Sequence, residues 1–261
     1  MPAVYAHYRF GSQMLSTMPG DIRRSVKRFR RLYDVGLHGP DLFFYYRPML
    51  TTRIQKLGAR FPEQTGPEFF SRVCRNLRLE PSEAANAYLY GVLCHYSLDS
   101  ACHPLVMEQC QEDNLEHTRI ETAFDRFLMI RDGKASPERE SLTQHLALTE
   151  SECREAARFY PGAEAIHIRR SLKSMVQIRK LLSARDSMTG QLLRNTVGSA
   201  STEFAAMEMC PGEDNPWDTF APQLLERYQQ AALRFPELLL QLSAHLTYNA
   251  PLGEGFSPTF G

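Results

Sequence analysis

The chain has 261 residues with 30 basic and 30 acidic side chains, so its formal net charge is zero; 23% of its residues are charged. That length can bury a full core as one large domain or two small ones. The charge balance carries no electrostatic footprint for duplex nucleic acid, and no apolar run reaches the roughly 18 residues that span a bilayer.

Taken along the chain, helical periodicity dominates and β-branched alternation is scarce. Residues Met1 to Met18 hold His7, Tyr8 and Arg9 where a secretory signal would hold an apolar segment, so a cytoplasmic chain is expected. Asp21 to Val35 reads as an amphipathic helix that stops at Gly36. It carries the one basic cluster, Arg23, Arg24, Lys27, Arg28, Arg30 and Arg31, which is either a solvated face or a weak contact for a membrane surface or other anion. Gly39-Pro40-Asp41 turns the chain, with Asp41 placed to cap the apolar run Leu42 to Tyr46. Pro67 opens a helix that runs to Leu79. Ser82-Glu83-Ala84 starts a long, largely buried helix, and Pro104 places His103 at or near its end or at a kink.

Asp113-Asn114 caps a further helix to about Ile130. After the loop Asp132 to Pro137, Leu142 to Tyr160 holds a short helix or two, ended by Pro161-Gly162. Ala163 to Arg185, Ser187 to Met209 and Ala221 to Leu246 read as helices, the last with a kink at Pro236. The Gly- and Pro-rich end reads as an extended strap or as disorder. The expected architecture is all-α: one compact multi-helix domain over residues 1–248, with a tail over 249–261. The six cysteines, Cys74, Cys94, Cys102, Cys110, Cys153 and Cys210, form no CxxC pair and read as small buried hydrophobes in a reduced chain.

The chemistry concentrates in two adjacent helices. His95, Asp99 and His103 recur at steps of four, and His117 and Glu121 repeat the step. On a helix of 3.6 residues per turn the first three lie within roughly 80° of one another, on one stripe. Imidazole with carboxylate suits zinc. Buried histidine and aspartate are costly without partners, and a metal offsets that cost. Five such groups exceed the needs of one zinc ion and point to a site for two or more metals, a geometry used in phosphoester hydrolysis.

The order His7, Gly39-Pro40-Asp41-Leu42-Phe43-Phe44-Tyr45, His95-x3-Asp99-x3-His103-Pro104 and His117-x3-Glu121 resembles the zinc-dependent phospholipase C family. That family shares an all-helical trinuclear zinc site with the single-strand-specific nucleases. The opening Tyr5-Ala6-His7 and the late Asn215-Pro216-Trp217 resemble its intracellular bacterial members. The resemblance implies zinc, from one to three ions, and a phosphoester or phospholipid headgroup as substrate. It makes Asp41 a ligand and the general base or orienter of the attacking water. It also makes His95 and Asp99 ligands, with Asp99 bridging two metals. His103, His117 and Glu121 form the neighbouring site, and His7 holds a third metal. The family places another histidine in a Leu-Gly-x-x-x-His setting, where this chain reads Leu57-Gly58-Ala59-Arg60-Phe61-Pro62-Glu63-Gln64. Glu63 and His38 are the candidate stand-ins.

Other polar residues are weaker candidates. His145, His167 and His245 read as structural or exposed. Asp125 reads as a partner of a ligand histidine or as a surface ion pair. Phe43, Phe44, Tyr45 and Tyr46 are expected in the core or over the metals, and Arg47 is a phosphate contact by its chemistry alone. The alternative to an enzyme is a non-catalytic helical protein that keeps part of the metal site.

Overall fold

The computed structural model describes residues 4–48, 50–110, 114–184, 206–209 and 216–260. The expected helix at Ser187 to Met209, the Asp113 cap, Cys210 and Asn215 fall wholly or mostly outside these residues. Ten α-helices are described: α1 (Val4–Thr17), α2 (Gly20–Arg28), α3 (Arg30–Gly36), α4 (Arg53–Arg60), α5 (Gly66–Leu79), α6 (Glu83–Cys110), α7 (Asn114–Arg131), α8 (Glu150–Ala157), α9 (Ala165–Ser183) and α10 (Ala221–Tyr248). No strand occurs among the described residues, and the fold is all-α. No described helix is long and apolar enough to cross a membrane.

Helix α6 is the axis of the bundle. Residues 87–99 are buried on every face, as expected for a helix enclosed by others. Helices α3 and α10 make its main packing surfaces. The crossing with α3 is close because two glycines meet: a Cβ on Gly36 would lie 2.5 Å from the Tyr88 carbonyl and 3.1 Å from Gly91 Cα. At the same crossing the Tyr33 hydroxyl donates to the Gly11 carbonyl at 2.7 Å, which brings α1 alongside.

Local rules explain the shorter helices. Thr52 and Gln55 close a capping box on α4. Thr149 and Glu152 do the same on α8. At the start of α5 the Thr65 N–H donates to Glu68 Oε2 at 2.8 Å.

Three expectations are corrected. Asp21 to Val35 is not one helix: Phe29, at φ −111° and ψ 40°, divides α2 from α3. Asp41 does not cap a helix. It sits inside a 3₁₀ helix, Gly39–Tyr45, whose first turn is preceded by His38. Of the two placements expected for His103, the helix end does not hold, since α6 continues through Pro104 to Cys110. The proline costs a backbone hydrogen bond, which burial of Leu105, Val106 and Cys110 offsets.

Residues 249–260 pack against α5 and α6. Phe256 and Phe260 are buried, Tyr96 Oη donates to the Pro258 carbonyl at 3.1 Å, and an isolated bridge joins Thr65 to Thr259. Of the basic cluster, Arg28, Arg30 and Arg31 pair with Glu83, Asp34 and Glu152. Arg23, Arg24 and Lys27 are solvent-exposed. The five described cysteines are free, and all but Cys102 are buried.

Candidate metal centre

The i, i+4 spacing places His95, Asp99 and His103 along one stripe of α6, and His117 and Glu121 along one stripe of the adjoining α7. Tertiary packing adds His7 from α1 and Asp41 from the 3₁₀ helix. The result is two groups of potential ligands, His7, Asp41, His95 and Asp99 in one, His103, His117 and Glu121 in the other, with donor atoms in each all within 4.8 Å of one another. Six of the seven side chains are buried, and His117 is half-buried.

Asp99 joins the groups. Its Oδ1 lies 3.1 Å from His7 Nε2, and its Oδ2 lies 3.2 Å from His95 Nε2 and 3.8 Å from His103 Nδ1. In the second group His103 Nε2 faces His117 Nε2 at 3.2 Å. Both nitrogens approach Glu121 Oε1, at 3.6 and 3.2 Å. Ligands about 2.0–2.1 Å from a tetrahedral ion stand about 3.3 Å apart, so these three edges match the outline of a coordination shell. A buried polar atom of the second group points the same way: Glu121 Oε2 has no hydrogen-bond partner, whereas the unpartnered nitrogens of His7, His95 and His103 are the Nδ1 atoms opposite the ligand-facing Nε2. Each such atom costs about 1–3 kcal/mol. The donor set therefore fits a metal ion.

The electrostatics also suit ligation, which requires neutral imidazole and ionised carboxylate. Burial lowers His95 to about 3 and lowers His103. Burial alone would raise Asp99, but His95, His7 and His103 hold it well below the usual carboxylate range. Glu121 is held at about 2: burial would raise it, and the N-terminal amino group, then His117 and His103, oppose that rise. Asp41 differs. Burial, together with the charge of Asp99, pushes it up to about 7.

Three features outside the ligand set build the site. Gly39 adopts φ +47°, and a Cβ there would lie 2.5 Å from His95 Cδ2, so glycine at this position lets the backbone lie on the ligand ring. Phe260 packs over His95 from another direction, with ring centroids 6.3 Å apart. Asp125 is neither a surface ion pair nor a partner of a ligand histidine. It is buried and accepts the N–H groups of Tyr5 and Ala6 at 2.9 and 2.8 Å. It thus caps the first turn of α1 and fixes the helix that carries His7. Only its step of four after Glu121 signalled it in the sequence.

The remaining candidates lie elsewhere. Glu63 is exposed and joins neither group. His38 is buried, but its Nε2 meets His145 Nε2 at 2.8 Å rather than the ligand cluster. His145 in turn stacks on Tyr8. His167 Nδ1 accepts from the Glu164 N–H at the start of α9. His245 is buried with Nδ1 2.6 Å from the Ala250 carbonyl oxygen. Phe43, Tyr45 and Tyr46 are core residues, whereas Phe44 is exposed. Arg47 lies over the Tyr46 ring, 5.8 Å from its centroid.

An all-helical domain with two buried histidine–carboxylate groups, each able to hold a metal ion, is the class of protein that the fold and the site describe. The chain belongs to the zinc-dependent phospholipase C family: the family's model matches residues 6–161, which span all seven candidate ligands. No curated protein and no solved structure gives a match.

Proposed function

We propose that this protein is a zinc-dependent hydrolase of a phosphoester, a phospholipase C-like phosphodiesterase. The observation that carries the reading is the shared carboxylate: Asp99 faces His7 and His95 on one side and His103 on the other. A single structural ion needs no such link. His7, Asp41, His95 and Asp99 would hold one or two ions, and His103, His117 and Glu121 another. Bound zinc supplies a water of pKa about 7 and offsets negative charge on phosphoryl oxygens. Asp41 is the candidate general base or orienter of the water, the role that the family resemblance gives to this position. Residues 1–248 form the hydrolase unit, and residues 249–261 are an accessory strap.

A second reading rests on the exposed Glu63. It leaves the histidine absent from Leu57 to Gln64 without a substitute there, as in a non-catalytic metal-binding protein of the same fold. Metal content by mass spectrometry separates the two, with His117→Ala alongside. Two or three zinc equivalents, fewer in the variant, together with hydrolysis of bis(p-nitrophenyl) phosphate or phosphatidylcholine, support the hydrolase. One equivalent without turnover supports the non-catalytic reading, and none after zinc addition refutes both.

A further inference from the structure

Helix α9 turns a regular stripe inward: Ile168, Ser171, Leu172, Met175 and Arg179 are its buried residues. The first four are apolar or small. The fifth is a guanidinium at a position where the stripe calls for a hydrophobe, and it is only 5% exposed. It has no ion-pair or hydrogen-bond partner among the described residues, and its buried Nε is left unsatisfied. Arginine stays charged at any physiological pH and presents five donors. A buried cation of this kind is costly unless something anionic meets it.

The surroundings say where that anion would lie. Helix α9 packs against the 3₁₀ helix Gly39–Tyr45, which carries Asp41. The positive charge of Arg179 acts on Tyr45 and His38 around that helix, on Asp125 of α7 and on His145. Of these only Asp125 is an acid, and its oxygens already accept the N–H groups of Tyr5 and Ala6. Arg179 thus lies on the helix packed against the 3₁₀ helix of the metal centre, helps to hold Asp125 down by its charge, and makes no ion pair with a carboxylate among the described residues. It lies beyond residue 161, outside the segment that matches the family.

We infer that Arg179 receives a phosphoryl anion beside the metal centre, as a substrate-binding arm contributed by α9. The inference rests on the phosphoester reading above and names a contact for it. A planar guanidinium can hold two oxygens of a phosphate or phosphodiester at once, whether these belong to a free phosphate or to a lipid headgroup.

The test uses the full chain loaded with zinc, with Arg179→Gln and Arg179→Lys. Metal content is measured first, so that a failure of the metal reading is seen separately. Inorganic phosphate is then titrated by calorimetry, and binding to phosphatidylcholine vesicles is measured by sedimentation. Arg179→Gln is expected to keep its zinc and to weaken phosphate binding about tenfold or more, as for loss of a charge-assisted contact. Arg179→Lys is expected to restore part of it. A loss seen with both probes assigns the headgroup as the source of the anion, and a loss with phosphate alone assigns a soluble ligand. If Arg179→Gln does not fold, Arg179→Lys carries the test through its weaker phosphate affinity. Equal affinity of wild type and every folded variant for both probes, at equal zinc content, overturns the inference.

Discussion

Replacing Gly39 by alanine tests how the site is built without touching a ligand. Two costs follow from the structure. The first is backbone strain: φ is +47°, and a non-glycine residue in that region costs about 1–3 kcal/mol. The second is steric. The new Cβ would sit 2.5 Å from His95 Cδ2, where carbon atoms normally stand about 3.5–4.0 Å apart. The ring must retreat by about 1 Å, whereas ligation tolerates only about 0.2 Å. We expect zinc affinity to fall by about 10–100-fold, the scale for losing a group that orients a ligand, and the melting temperature to drop by about 2–4 °C for each kcal/mol lost. Gly133→Ala is the control: its φ is +81°, and nothing lies within 4 Å of the added Cβ. The difference between the two variants isolates the steric part. Zinc titration and thermal unfolding read both. If Gly39→Ala binds zinc as the wild type does and melts with Gly133→Ala, the argument that Gly39 positions His95 is wrong.

Further predictions follow from the groups that hold α1 and from the ligand clusters. Burial pushes Asp125 up to about 6 from 3.8, against the Tyr5 N–H and Arg179. Because the folded-state value is raised, its stabilising contribution is largest below pH 3.8 and is lost as pH rises through 6. Asp125→Asn should remove a slope worth on the order of 3 kcal/mol over that window, checked by urea unfolding in chelator from pH 4 to 7; parallel curves would refute it. Asp132 is lowered, chiefly by Arg9 with further help from Tyr5. Its contribution is present above pH 3.8 and disappears as pH falls through its folded-state value. The Arg9–Asp132 pair is 26% and 28% exposed, so a double-mutant cycle should give no more than about 1 kcal/mol; a much larger coupling would contradict this. Chelation should lower the melting temperature, since zinc at a thousand times its Kd adds about 4 kcal/mol. An unchanged melt after chelation of protein first shown to carry zinc would refute stabilisation of the fold by metal at these clusters.

Much of the site was legible because its signals are local. A step of four on a helix is set by backbone geometry alone, so His95, Asp99, His103, His117 and Glu121 could be grouped from spacing before any packing was known. The all-helical class followed from periodicity in the same way. His7 and Asp41 entered through resemblance to a family rather than through spacing, because no local rule links residues on separate elements. Pro104 does not end α6, because its intrinsic preference is overridden by burial of the turn beyond it. Phe29 gave no breaker signal of the kind glycine or proline gives, so the division between α2 and α3 was invisible.

Only the tertiary structure brought His7 against Asp99, laid Gly39 on the His95 ring, and turned Asp125 toward the amides of α1. It also revealed Arg179 on a buried stripe, with its Nε unsatisfied among the described residues. The sequence by itself determined the all-α class and the ligand pairs within each helix, since those depend on residues four apart. Which elements meet, and which charges remain uncompensated where they meet, is decided by packing between residues as distant as Tyr5 and Asp125.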